Sequence, residues 1–371
     1  MRFIIFAIVF LSVFVLLNYY ISKRFIEHLH IKEKYKKYMK IFLWINFVGI
    51  IGYMFARYNP AMPNWLFFLL SLPIGVVFLI FCTALLYDLS HTFIKKAPLS
   101  NNRRELFKKT LDYSSLALVL GLSGRSIYEA RTVELEKVDL KLKGLKESYS
   151  IVQLSDIHIG GLIDKDFIAK LVQRVNVLKP DIVVITGDLV DVALKFARPA
   201  LNELKKLNST YGTYFIVGNH EYFHGVDNII AEVKSLDITV LENNSVYIGE
   251  DTKGFNLAGV YDVMGYRTGH HEPDIKKALS NIDQSSPTIL LAHQPRYIDE
   301  VTNNVDLVLS GHTHGGQIYP FRVLVKLVQP YLAGLYKHNE DTQIYVNKGT
   351  GFWGPPMRLG ASSEITYIKI S

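Results

Sequence analysis

At 371 residues the chain has room for two ordinary domains and a sizeable buried core. With 49% hydrophobic residues and a positive mean hydropathy of +0.16, composition excludes a wholly polar chain and points to a membrane portion. The net charge of +7 is unevenly placed: residues 1–109 hold 15 Lys+Arg and 4 Asp+Glu, whereas the other 262 hold 26 and 30. The basic excess therefore lies beside apolar segments, which argues against a nucleic-acid-binding surface. The single cysteine, Cys82, excludes an intrachain disulfide and says nothing about compartment.

In chain order, Phe3–Ile21, Ile41–Phe55 with its flanks and Trp65–Tyr87 read as three transmembrane helices, since a span needs about 20 mostly apolar residues. Residues 1–110 thus form an α-helical membrane region. Lys23, Arg24 and Lys32 to Lys40 lie between the first two segments, and Lys95 to Lys109 follow the third, while the short loop Arg57–Asn64 carries one basic residue. The positive-inside rule places both basic loops in the cytoplasm and the N-terminus outside. The centres of the spans hold almost no ionisable residues, so an anchor suits them better than an ion path.

Residues 111–133 are a weaker fourth segment and linker. Leu111–Ile127 is short and rich in Gly and Ser, and Asn102-Arg103-Arg104-Glu105-Leu106-Phe107-Lys108 before it resembles a twin-arginine export signal displaced from the N-terminus. A crossing here puts the C-terminal part of the chain outside the cytoplasm; a segment lying at the interface keeps it inside. The expectation is a multi-pass protein of a bacterial inner (cytoplasmic) membrane with an extracytoplasmic domain.

From Glu134 the pattern becomes soluble α/β. Apolar runs SIVQL, DIVVIT, TYFIV, FNLAGV, TILLA, DLVLS, QIYV and EITYIKI read as buried strands. Asp164–Leu178, Pro199–Leu207, Val226–Ser235 and Asp274–Ser280 read as helices, Pro199 standing at a tolerated first position. Strand–helix alternation with a strand-rich end predicts two mixed sheets with helices outside, over residues 134–371.

Five polar motifs follow five of these strands: Asp156-Ile157-His158, Gly187-Asp188, Gly218-Asn219-His220-Glu221, His293-Gln294-Pro295 and Gly311-His312-Thr313-His314. Strand ends are where open sheets bind ligands. Asp, His and Asn without cysteine make an oxygen/nitrogen set for divalent metals such as Mn, Fe or Zn. Taken singly, each motif is as well explained by a turn, a cap or a hydrogen-bonded histidine; their order and joint presence are not. Residues two apart in extended chain face the same way, which would explain Asp-x-His and His-x-His.

The order and residue types of the five blocks resemble the calcineurin-like metallophosphoesterases, from about Ser148 to the C-terminus. The resemblance implies an αββα sandwich and two divalent metal ions. By it, Asp156, His158, Asp188 and His314 hold one ion, Asp188 bridges, and Asn219, His293 and His312 complete the second. It implies hydrolysis of a phosphate ester or pyrophosphate bond by a hydroxide that the dinuclear centre activates. His220, beside a ligand, is the expected general acid, with Glu221 orienting it or a nearby water.

Outside the blocks, Asp191 is expected to cap the next segment; His270 and His271 read as a solvated loop, with the border of the pocket as the alternative, and His224 as a surface residue, with support of nearby His220 as the alternative. Arg358, in the Gly- and Pro-rich stretch from Gly349, matches either a substrate phosphate or a structural salt bridge. Gly315 to Lys337 mixes apolar, aromatic and basic residues, either as a lid facing lipid or as ordinary cover for the sheet. The expected partners are the lipid bilayer and a phosphorylated small-molecule or lipid-linked substrate, with neither nucleic acid nor a protein partner. The competing class is a non-catalytic membrane-anchored scaffold on the same fold.

Overall fold

A computed structural model describes residues 2–57, 62–250, 252–301 and 304–371, with side chains from Ile5 onward. Residues 58–61, within the loop Arg57–Asn64, lie outside the described residues. Chain contacts divide it into two compact units, Met1–Tyr128 with Gly354–Leu359, and Glu129–Trp353 with Gly360–Ser371.

The first unit is helical: α1 (Arg2–Tyr20), α2 (Glu33–Ala56), α3 (Asn64–Lys96) and most of α4 (Asn101–Arg131). Ile5–His28, Glu33–Ala56 and Asn64–Lys96 are long and apolar enough to cross a membrane. Among the described residues α4 does not meet that measure. It is nevertheless one continuous helix of 31 residues, and Leu111, Leu116 and Val119 pack against the apolar cluster of the first three. Inside this unit Asp112 accepts hydrogen bonds from the His30 backbone N–H and the Tyr87 hydroxyl, both 2.7 Å.

The second unit holds β1 (Val133–Leu140), β2 (Tyr149–Leu154), α5 (Lys165–Val177), β3 (Ile182–Thr186), α6 (Leu194–Leu204), β4 (Thr213–Ile216), α7 (Asn219–His224), α8 (Val226–Lys234) and β5 (Thr239–Val240). Then come β6 (Asn244–Ile248), β7 (Phe255–Gly259), α9 (Met264–Thr268), α10 (Ile275–Ala278), β8 (Thr288–Leu291), β9 (Leu307–Ser310), α11 (Arg322–Val325), β10 (Gly334–Lys337), β11 (Gln343–Val346) and β12 (Ser363–Ile370). They build two mixed six-stranded sheets, ordered β1-β12-β2-β3-β4-β5 and β10-β11-β9-β8-β7-β6.

Alternation along the strands makes the layers. Ile151, Ile182 and Val184 pack with Leu257, Ile289 and Leu307 between the sheets, while Val152, Val183 and Ile185 face α5, α6 and α8 on the outside. On the other outer face Ala258, Leu290 and Ile344 pack against Tyr297 and Ile298. Each fully buried Ile or Val contributes about 1.5–3 kcal/mol by leaving water. The result is the four-layer αββα sandwich.

One local reading changes. α6 starts at Leu194, so Pro199 lies inside it rather than at its first turn. Burial of Ala197, Ala200, Leu201 and Leu204 along one face outweighs the hydrogen bond that proline forgoes. α5 begins as expected, because the Asp164 side chain accepts from the backbone N–H groups of Asp166 and Phe167 and caps it.

Candidate metal centre

The parallel core strands end at one edge of each sheet, and the loops that leave them carry the polar motifs. β2 leads into Asp156 and His158, β3 into Asp188, β4 into Asn219 and His220, β8 into His293, and β9 into His312 and His314. Asp156, His158, Asp188, His312 and His314 all have positive φ, between 50° and 70°. The Asp-x-His and His-x-His spacings are therefore not strand alternation. Left-handed turns aim these side chains inward, at a cost of about 1–3 kcal/mol each that the surrounding bonds must offset. Glycines make room: a Cβ on Gly311 would stand 1.9 Å from the Ser155 Oγ, and one on Gly187, at φ 90°, 2.6 Å from His293 Nδ1.

Two clusters, Asp156–His158–His314 and Asp188–His293–His312, result, with a third group, His158–Asp191–His220, that shares His158 with the first. In the first, His158 Nε2 and His314 Nε2 approach to 3.0 Å, and His314 Nε2 lies 3.4 Å from Asp156 Oδ1. In the second, His293 Nε2 lies 3.2 Å from Asp188 Oδ2. The same Asp188 oxygen is 4.0 Å from His158 Nε2, so this carboxylate stands between the clusters. The two histidines of the last motif part company, His314 joining the first cluster and His312 the second.

The donors fit divalent ions. His293 Nδ1 is 2.7 Å from the Thr186 carbonyl, which can only accept, so Nδ1 carries a proton and Nε2 is the ring atom turned toward the centre. Asn219 Oδ1 is buried without a hydrogen-bond partner, a costly state unless an ion satisfies it. Burial and the neighbouring His293 push the His312 imidazole down to about 3, leaving it neutral and able to coordinate. Burial alone would raise the Asp188 pKa, but His293 and His220 outweigh it and hold the carboxyl well below its usual range.

His220 belongs to neither of the first two clusters but to the third group, with His158 and Asp191. Its Nε2 is 3.8 Å from Asp188 Oδ2, and its Nδ1 is hydrogen-bonded to Asp191 Oδ1. Burial lowers the pKa of this imidazole, yet the charges of Asp188 and Asp191 prevail and raise it to about 9. Asp191 is thus no cap. Its carboxylate lies between His220 and His158 Nδ1, 3.7 Å away, with His224 Nε2 at 3.8 Å. Sequence reasoning missed it, although its place three residues beyond Asp188 on the same turn was the available signal.

Glu221 does not touch the His220 ring. It is wholly buried and accepts from the backbone N–H groups of Asp188, Leu189, Val190 and Gly218, at 2.6–3.1 Å. It therefore ties the Asp188 turn to the start of α7. His270 and His271 form a separate surface cluster with Asp227. Arg358 is fully buried, falls in the helical unit, and its backbone N–H donates to the Ser126 carbonyl at 2.8 Å. Neither ligand cluster includes it.

Residues 149–316 match the family model of the calcineurin-like phosphoesterases. The chain is 41% identical over 369 residues to an "Uncharacterized metallophosphoesterase" of Helicobacter pylori, covering 98% of each. It is 35% identical over 379 residues to a Campylobacter jejuni protein of the same description, covering 100% of this chain and 99% of that one. A Bos taurus "Transmembrane protein with metallophosphoesterase domain" is 43% identical over 234 residues, 60% of this chain and 52% of its own length. The chain belongs to the calcineurin-like metallophosphoesterases, hydrolases of phosphoesters that use a dinuclear divalent metal centre.

Proposed function

We propose that the chain is a multi-pass, membrane-anchored phosphoesterase whose substrate is a lipid-linked or nucleotide-linked phosphate ester or pyrophosphate. The observation that carries this reading is the pair of Asp/His clusters meeting at Asp188, with the His220–Asp191 pair alongside. Asp156, His158 and His314 would hold one ion, Asn219, His293 and His312 the other, and Asp188 both. Bound there, the ions supply water activation and charge neutralisation at phosphorus.

The residues of the chain do the rest. Asp191 accepts the Nδ1 proton of His220, which fixes the ring and keeps a proton available at Nε2. That proton goes to the leaving oxygen as the bond to phosphorus breaks, the task of a general acid. His220 is thus assigned as the catalytic residue and Asp191 as its positioning partner. Glu221 acts on neither; it holds the backbone that carries Asp188.

The three apolar helices support anchoring in a membrane. The working placement of the metal centre is extracytoplasmic, supported by Leu111, Leu116 and Val119 of α4 packing against the apolar cluster while Leu118 and Leu120 are exposed. Enzyme reporters fused after Arg131 test it: activity confined to a cytoplasmic reporter would refute the placement. Purified full chain incubated with Mn²⁺ and generic phosphomonoesters and phosphodiesters tests the chemistry. Turnover that rises with Mn²⁺ supports it, and a folded chain inert toward every ester refutes it.

A further inference from the structure

Directly after the last ligand, the chain makes an excursion that the chemistry above does not use. It is fastened at both ends to the ligand loop. Gly316, at φ 82°, lies so close to Arg322 that a Cβ there would meet the Arg322 Cα at 2.3 Å, and the Thr313 hydroxyl donates to the Leu332 carbonyl at 2.5 Å. At its start the Gln317 side-chain amide bonds in both directions to the Trp353 backbone, at 2.8 and 3.1 Å. The Trp353 ring meets the His220 ring edge-on at 6.0 Å. The strap is therefore built into the rim of the metal centre.

Its middle is open to solvent. Tyr319, Phe321, Val323, Leu324, Leu327 and Val328 are all exposed, Leu327 by 77%. α11 within the strap has no buried residue, so these side chains are not cover for the sheet. Single exposed apolar residues need no explanation, but a contiguous set of large ones does. Arg322 and Lys326 are interleaved with them, and residues 317–338 contain no acidic residue. An apolar, basic surface of this kind suits the headgroup boundary of an anionic bilayer. The chain brings a bilayer with it, since three of its helices are long and apolar enough to cross one.

We propose that the strap Gln317–Leu332 docks on the surface of an anionic lipid bilayer, with its exposed leucines and valines in the acyl boundary and Arg322 and Lys326 at the phosphates. Docking there would turn the rim of the metal centre toward lipid headgroups. The proposal rests on membrane anchoring, and the test reads the two separately.

The full chain carrying Cys82→Ser and Leu327→Cys is labelled with an environment-sensitive fluorophore. It is reconstituted in phosphatidylcholine–phosphatidylglycerol vesicles that contain spin-labelled lipid as a quencher. The same label at Val177→Cys, exposed on α5, is the water reference, and at Leu16→Cys, in α1, the anchor reference. Docking predicts blue-shifted, lipid-quenched emission at 327 and 16 and neither at 177. Emission at 327 as wet as at 177 overturns the proposal. So does a blue shift without quenching, which would put the strap against protein, a second copy included. An unquenched label at 16 would fail the anchor and leave the strap to be decided by its own signal. Arg322→Gln with Lys326→Gln should lower the docked fraction roughly tenfold or more, because each basic residue near an anionic surface contributes on the order of 1 kcal/mol. An unchanged fraction overturns the role of the charges and with it the preference for anionic lipid.

Discussion

The two units of this molecule are built inside out from one another. In the catalytic unit the apolar side chains fill the layers between and outside the sheets, and polar groups gather at the strand tips. In the helical unit large apolar side chains such as Ile8, Leu16, Ile45 and Leu89 point outward, while Asp112 and Ser71 are buried. The difference teaches which solvent each unit meets: outward leucines are costly in water and at ease in hydrocarbon. It also separates two kinds of buried carboxylate. Asp188 sits among the histidines of two facing clusters, whereas Asp112 is closed off by His30 and Tyr87 within its own unit.

Removing each carboxylate should therefore have different consequences. Asp188→Asn takes charge from both clusters at once, so turnover should fall by at least about 10²–10³-fold together with bound metal. Loss of activity with full metal content would break the assignment of Asp188 as the shared ligand. His220→Ala should cost about 10²–10⁴-fold in kcat while both metals stay bound, and metal loss would make His220 a ligand instead. Asp191→Asn leaves the ring in place but weakens its orientation. An effect of roughly 10–100-fold on kcat, with KM and metal content nearly constant, is the expected result.

Smaller effects sharpen the other half of the comparison. Ile289→Ala, between the sheets, should destabilise the catalytic unit by about 2–5 kcal/mol in thermal unfolding without altering metal stoichiometry in the folded protein. Asp112→Ala removes the acceptor of the His30 backbone N–H and the shorter of the two acceptors of the Tyr87 hydroxyl, which costs about 1–3 kcal/mol. It should lower the unfolding temperature of the detergent-solubilised chain and spare turnover on soluble esters. Lost turnover with unchanged stability would give Asp112 a catalytic part that the geometry does not.

Much of this was legible in the sequence because it depended on local pattern. Unbroken apolar runs such as DIVVIT and TILLA announced strands buried on both faces, and the polar residues after them announced the tips. Three apolar helices were readable from length and composition. What was not legible depended on contacts between distant segments. Asp191 looked like a cap because its partners, His220 and His158, arrive from two other strand ends. Glu221 looked like part of the site because it adjoins His220, but three of its four backbone donors come from the Asp188 turn and the fourth from Gly218 at the start of its own helix. The spacing of Asp156 and His158 suggested extended chain, while the real device is a left-handed turn that no residue type in the motif advertises. The start of α6 was hidden by Pro199, whose local preference yields to the burial of a whole helix face.

The most direct test of the account is the metal content of the full chain purified in detergent, for the parent and for Asp188→Asn, measured beside turnover of a soluble phosphoester. The account predicts two divalent ions per parent chain, activity that chelation removes and Mn²⁺ restores, and loss of both ions in the variant. A folded parent chain that binds one ion or none, or that hydrolyses the ester after complete chelation, would contradict it.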